Sequence, residues 1–129
     1  MPEDSPDFSS PAWFRELASS VDYAGFRRIW LNPVTERAEK GYLAACYERV
    51  AVRANSEGEY FLAHDAACHG LRCASASDFP PHRLTAQKLT ALARSGATAQ
   101  ALRLMEEFLA IYPVDRSTAS TKARLLKEA

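Results

Sequence analysis

Isoleucine occurs only twice in this chain of 129 residues, and no segment alternates β-branched with polar residues. A half-buried strand needs that alternation, so strands are not required to explain the sequence. Acidic and basic side chains cancel to a formal net charge of zero. That removes the long-range attraction expected of a generic nucleic-acid binder. Apolar runs are short: none approaches the roughly 20 residues that a bilayer-spanning helix needs. The polar, acidic start (residues 1–7) also lacks the basic opening and apolar run of a secretory signal. Cysteines number three, an odd count without a C-x-x-C pair, which suits free thiols in a reducing compartment better than a disulfide framework. Glycine is scarce too, with five in all. A phosphate-cradling loop has little material, and neither G-x-S-x-G nor H-E-x-x-H occurs. Together these absences lead us to expect a cytoplasmic protein that engages neither membrane nor nucleic acid and uses no cofactor. Twelve arginines against four lysines, with abundant alanine, suggest a GC-rich, bacterial coding sequence.

What remains is enough for a core. Hydrophobic residues make up 47% of the chain, within the globular range for a single domain. Residues 1–9, with Pro2, Pro6 and three acids, read as a flexible tail, and residues 10–129 as one all-helical domain. Ser10-Pro11 opens a helix carrying Trp13, Phe14, Leu17 and Val21, and Asp22 caps a second with Tyr23, Phe26, Ile29 and Trp30. Asn32-Pro33 ends it. A third helix is expected over 34–55, apolar on two sides and therefore sandwiched between neighbours. Asn55-Ser56-Glu57-Gly58 breaks it. Residues 57–73 read as the next helix, with Phe61, Ala63, Ala67 and Leu71 inward and Asp65, His69 and Arg72 outward. Ser75 to Pro81 is the clearest loop. Helices are then expected over about 83–94, from Ala101 through Tyr112 up to Pro113, and over 117–128. In the last, Ala119, Ala123 and Leu126 point inward while Arg116, Lys122, Arg124 and Lys127 point out.

Two helical pairs share a pattern. Tyr47, Val50, Ala51 and Ala54 precede Gly58, with Tyr60, Ala63, Ala67 and Gly70-Leu71 after it; Leu89 and Leu92 precede Gly96, with Ala101, Met105, Phe108 and Pro113 after it. Ala63 and Ala101 are thirty-eight residues apart, about four more than the ~34-residue tetratricopeptide period. The Pro80-Pro81 loop supplies the excess. Over residues 44–128 the chain resembles the tetratricopeptide repeat family. Tyr47, Val50, Ala51 and Ala54 fall at the aromatic, aliphatic, small and aromatic positions of its first helix, Ala63 and Ala101 at the small residue of its second, and Pro113 at its closing proline. Departures are Ala54 where tyrosine is usual, Thr85 and Lys88 at apolar positions, and Cys73-Ala74 in place of the first proline. The resemblance implies two stacked antiparallel hairpins in a short right-handed array, a capping helix, and extra N-terminal helices over 10–43.

Chemistry is harder to find. His64, Cys68, His69 and Cys73 include metal-ligating types, but the two i, i+4 pairs lie on faces about 100° apart, so one tetrahedral ion does not gather all four. Asp65, His69 and a thiol such as Cys46 sketch a nucleophilic triad without any motif to support it. The reading is therefore non-catalytic and metal-free: a protein-interaction module that takes a peptide or protein segment in a helical groove. In the repeat register the groove-facing positions are Ala45, Glu48, Val52, Asn55, Arg83, Ala86, Thr90 and Arg94. Of these, Glu48, Val52, Asn55, Arg83, Thr90 and Arg94 are the candidate partner contacts. Families that clamp a C-terminal carboxylate carry lysine and asparagine there, so Glu48, Val52 and Ala86 favour a mixed apolar and charged peptide instead. The alternatives are a small assembly or secretion chaperone, a subunit of a larger complex or homo-oligomer, and a metal-dependent regulator or enzyme built on His64 to Cys73.

Overall fold

The computed structural model of the chain describes residues 40–128. The expected tail and the helices around Trp13 and Trp30 lie outside the described residues. Five α-helices follow in order: α1 Lys40–Ser56, α2 Tyr60–Ser75, α3 His82–Arg94, α4 Thr98–Leu109 and α5 Arg116–Glu128. Among the described residues there is no strand, as the missing alternation requires.

The turns between helices are chemically explicit. Gly58 and Gly96 take φ values of 78° and 101°, the left-handed region that side chains avoid. Each ends the preceding helix in the same way. The Glu59 and Ala97 amides reach back to the Ala54 and Leu92 carbonyls at 2.8 and 2.9 Å, closing a glycine C-cap that satisfies otherwise orphaned carbonyls. Because Gly58 takes this conformation, α2 starts at Tyr60 and not at 57. Proline shapes the other two links. Pro80-Pro81 precedes α3, and Pro113 follows the last turn after α4.

α1 packs on α2 and α3, and α2 also packs on α3. α3 in turn packs on α4 and α5, and α4 on α5. The arrangement of the first three helices is thus repeated by the last three, with α3 common to both. Leu43, Tyr47, Val50 and Ala51 of α1 meet Leu62, Ala63, Ala66 and Ala67 of α2 in the first cluster. Leu89, Ala101, Met105 and Leu125 form a second, between α3, α4 and α5. Ala44, Ala74 and Leu84 form a third at the α1–α2–α3 junction.

Five expectations about which side chains are buried need correction. Phe61 is 82% exposed, because it lies two residues from the buried Ala63, and positions two apart point to nearly opposite sides of a helix. His69, expected outward, is half-buried with its ring 5.8 Å from that of Tyr47. It sits one turn from buried Ala66, on the edge of the packed face. In α5 the buried residues are Thr118, Thr121 and Leu125, while Ala119, Ala123 and Leu126 are exposed. Arg124, expected outside, reaches the Thr90 hydroxyl of α3. Tyr112 lies beyond the end of α4 and is exposed.

Thr118 buries cheaply because its polar atoms are already satisfied. The Thr118 amide and hydroxyl both donate to Asp115 Oδ1 at 2.8 Å, and the Asp115 amide donates back to the hydroxyl at 2.9 Å. Partial desolvation pushes the Asp115 carboxyl up, but the Thr118 and Ser117 donors together with His82 outweigh it and hold the pKa below the ordinary value. A depressed folded pKa contributes stability above the unfolded value, and that stability is lost as pH falls through the folded one. Asp115→Ala should cost about 0.5–2 kcal/mol at neutral pH. Asp115→Asn keeps a capping side chain, so it should retain most of that stability while weakening the acid dependence. Denaturant midpoints from neutral to acid pH check this: an acid limb unchanged in Asp115→Asn would assign the titration elsewhere.

Candidate interaction groove

α1 presents Ala45, Glu48 and Val52 at helical spacing on a face that α2 does not cover. Beside them an open concavity of about 850 Å³ runs to the Phe79-Pro80 turn, to His82 and Arg83 at the start of α3, and to Asp115. His82 fixes the far wall. Its Nε2–H donates to the Pro113 carbonyl at 2.7 Å, and its ring stands edge-on to Phe108 and Tyr112 at 5.2 and 5.9 Å. Phe108 and Tyr112 stack on each other at 4.6 Å. The start of α3 is thereby tied to the α4–α5 link.

The charged pair across the groove is loose. Arg83 Nε lies 3.8 Å from Glu48 Oε1, and the two side chains are 72% and 13% exposed. Burial raises the Glu48 pKa, against the pull of Arg83 and Arg49. Glu48 Oε1 has no hydrogen-bond donor among the described residues. A buried carboxylate oxygen left without a donor carries a desolvation cost that an incoming N–H would relieve. Arg53, on the rim, pairs with Glu57 at 3.0 Å, an exposed bridge of little energetic weight.

Four of the eight groove-facing positions read from the sequence therefore come together here: Ala45, Glu48, Val52 and Arg83. The other four do not line this concavity. Asn55 donates to the Gln87 carbonyl and side-chain oxygens at 3.1 and 2.8 Å, clamping α1 to α3. Ala86 is buried. Thr90 donates to the Ala86 carbonyl at 2.8 Å and accepts from Arg124, so it faces α5. Arg94 is exposed in the last turn of α3. The sequence reading missed Arg49, Arg53, Phe79, Pro80, His82 and Asp115. Arg49 and Arg53 follow Glu48 and Val52 by one residue and were legible as the rim of that face. His82 and Asp115 arrive through tertiary packing, for which the sequence carried no local signal.

The histidine–cysteine helix has a different character. Cys68 Sγ lies 3.8 Å from His64 Nδ1, and Arg72 donates to His69 Nδ1 at 3.0 Å. Burial, then Arg72, lowers the His69 pKa to about 4. Burial raises the thiols of Cys68 and Cys73, and that of Cys46 to about 11. Neutral thiols are weak nucleophiles and weak metal ligands. Among the described residues no three His, Cys, Asp or Glu side chains gather as a metal site would need.

No family model matches the chain, nor does any curated protein or solved structure. No helix among the described residues is long and apolar enough to cross a membrane.

Proposed function

We propose that the protein is a non-catalytic interaction module of the tetratricopeptide kind, holding a peptide or protein segment in the groove between α1 and α3. The observation that carries the reading is the convergence of Ala45, Glu48, Val52 and Arg83 on one open concavity. It combines an apolar strip, an accessible guanidinium and a carboxylate oxygen in want of a donor, the mixture that a peptide's side chains and backbone amides complement. The repeat geometry supports it. Gly58 and Gly96 are as far apart as Ala63 and Ala101, thirty-eight residues in each case, and both alanines are fully buried. α3 packs on α1 and α2 as α5 packs on α3 and α4, the succession expected when each hairpin covers the last.

The test starts from a partner recovered by co-purification of the full chain from its native host. Arg83→Glu combined with Arg49→Glu should weaken that partner by at least about tenfold, or 1.4 kcal/mol, with helical circular dichroism unchanged. Arg103→Glu, on an exposed face of α4 outside the groove, is the control. Calorimetry showing equal affinity for all three proteins would move the site off this groove.

A further inference from the structure

A second hollow, of about 620 Å³, opens between α2, α3 and α4. It shares only the Phe79-Pro80 turn with the peptide groove, and its volume is that of a small-molecule site. Leu71, Leu89 and Leu104 line its walls, and Phe79, Phe108 and Tyr112 stand at the end near the start of α3. Two polar side chains of α3, Thr85 and Lys88, interrupt this apolar lining. Both occupy inward positions of the helix. Thr85 is 7% exposed. Lys88 is half-buried and lies one turn from Leu84 and from Ala91, which are both buried. Such positions ordinarily carry apolar side chains, and larger apolar side chains here would fill part of the hollow.

The fold uses neither polar group. Thr90 returns its hydroxyl to the Ala86 carbonyl one turn back, the usual bond of a helical threonine. Among the described residues the Thr85 hydroxyl makes no such bond, and the Lys88 ammonium makes no ion pair. A buried hydroxyl without a partner costs stability that a ligand's acceptor would recover. We propose that the hollow binds a small amphipathic carboxylate, an aryl or medium-chain carboxylic acid. Its carboxylate would lie on Lys88 and Thr85, with its apolar body toward Phe79, Phe108 and Tyr112. The donors decide the sign of the head group: an ammonium offers only donors, and a threonine hydroxyl can supply one more. One lysine balances one negative charge. Asp78 lies exposed beside Phe79 at the loop end, while Lys88 stands roughly 9 Å further along α3 at 1.5 Å per residue. A second anionic group at the aromatic end would therefore meet a carboxylate, which favours a monoacid with an uncharged tail.

Nuclear magnetic resonance titration of the nitrogen-15-labelled full chain with phenylbutyrate and with octanoate tests the proposal. The expected result is saturable shifts in α3, α4 and the 77–81 loop, half-complete below about 1 mM for at least one acid. Phenylbutyramide, the uncharged counterpart, should bind about tenfold more weakly than phenylbutyrate, having lost the charge-assisted bond. Lys88→Met should erase that preference and Lys88→Arg should keep it. Thr85→Val should weaken phenylbutyrate while the melting temperature of the ligand-free chain stays level or rises, because an unpartnered hydroxyl is removed. A lower melting temperature would give that hydroxyl a structural partner and overturn its role. Should Lys88→Met disturb α3, the acid and the amide on the natural chain still decide, since equal affinity for both overturns the proposal. No saturable shift with either acid overturns it as well, as do shifts confined to the Ala45, Glu48 and Val52 face.

Discussion

Leu84→Ala should cost about 2–5 kcal/mol, the range for truncating a buried leucine, and it should reverse the effect of a second substitution at Gly70. Leu84 is fully buried at the junction of α1, α2 and α3. A Cβ built on Gly70 would stand 2.5 Å from Leu84 Cδ2 and 3.1 Å from Tyr47 Cβ. Gly70→Ala alone therefore has two opposing effects. Alanine in a helix interior is favoured over glycine by about 1 kcal/mol. Against that, Leu84 must move within a packed site and Tyr47 Cβ is fixed to the α1 backbone, an overpacking cost of about 1–3 kcal/mol. The second effect should win, so Gly70→Ala lowers stability in the natural chain. Once Leu84 is truncated, the nearest obstacle is gone and the new methyl partly fills the space. Gly70→Ala should then raise stability. Denaturant midpoints for the four proteins of this cycle isolate the coupling. Equal shifts in both backgrounds would mean that Leu84 does not limit how closely α2 and α3 approach.

That junction also shows where the sequence was legible and where it was not. The ends of α1 and α3 were marked locally, because Gly58 and Gly96 do the same backbone work wherever a helix stops. The central burial of Tyr47, Val50, Ala51 and Ala54 followed from spacing alone. Gly70 belongs to the repeat pattern, but its place there gives no hint that a leucine fourteen positions away, in another helix, needs its room. α2 and α5 were misread for one shared reason. Phe61 neighbours Leu62 and Leu126 neighbours Leu125, so each helix offers two overlapping apolar stripes, and only the identity of the packing partner decides between them. Size was a poor guide, since small Thr118 and Thr121 went inside and Leu126 did not.

The groove divides along the same line. Ala45, Glu48 and Val52 share a face by helical geometry, so their convergence could be read without knowing the neighbours. Asn55 extends that face by one more turn, yet Gln87 of α3 takes its amide. Thr90 is taken by Arg124 from a helix thirty-four residues on. Polar side chains at a predicted surface are free only if no distant donor or acceptor reaches them, and spacing does not encode that.

Met105→Ala should cost a similar 2–5 kcal/mol, but the damage should be confined to one end of the molecule. Met105 is fully buried, and its cluster draws on α3, α4 and α5 alone, through Leu89, Ala101 and Leu125. The α1–α2 cluster receives only Ala91 from α3 and nothing from α4 or α5. Where each helix pair touches only the next, stability behaves as a sum of local units and interfaces. Removing the Met105 side chain leaves a cavity under α4, so α4 and α5 should open at a lower free energy than before. α1 and α2 still hold each other through Leu43, Tyr47, Val50 and Leu62, and α3 still covers them at Leu84. Amide hydrogen exchange on the variant should therefore show protection falling most in α4 and α5, less in α3 and least in the middle of α1 and α2. A uniform drop across all five helices would mean that the three clusters unfold as one cooperative core. In that case, reading the protein as a stack of semi-independent hairpins would have to be abandoned.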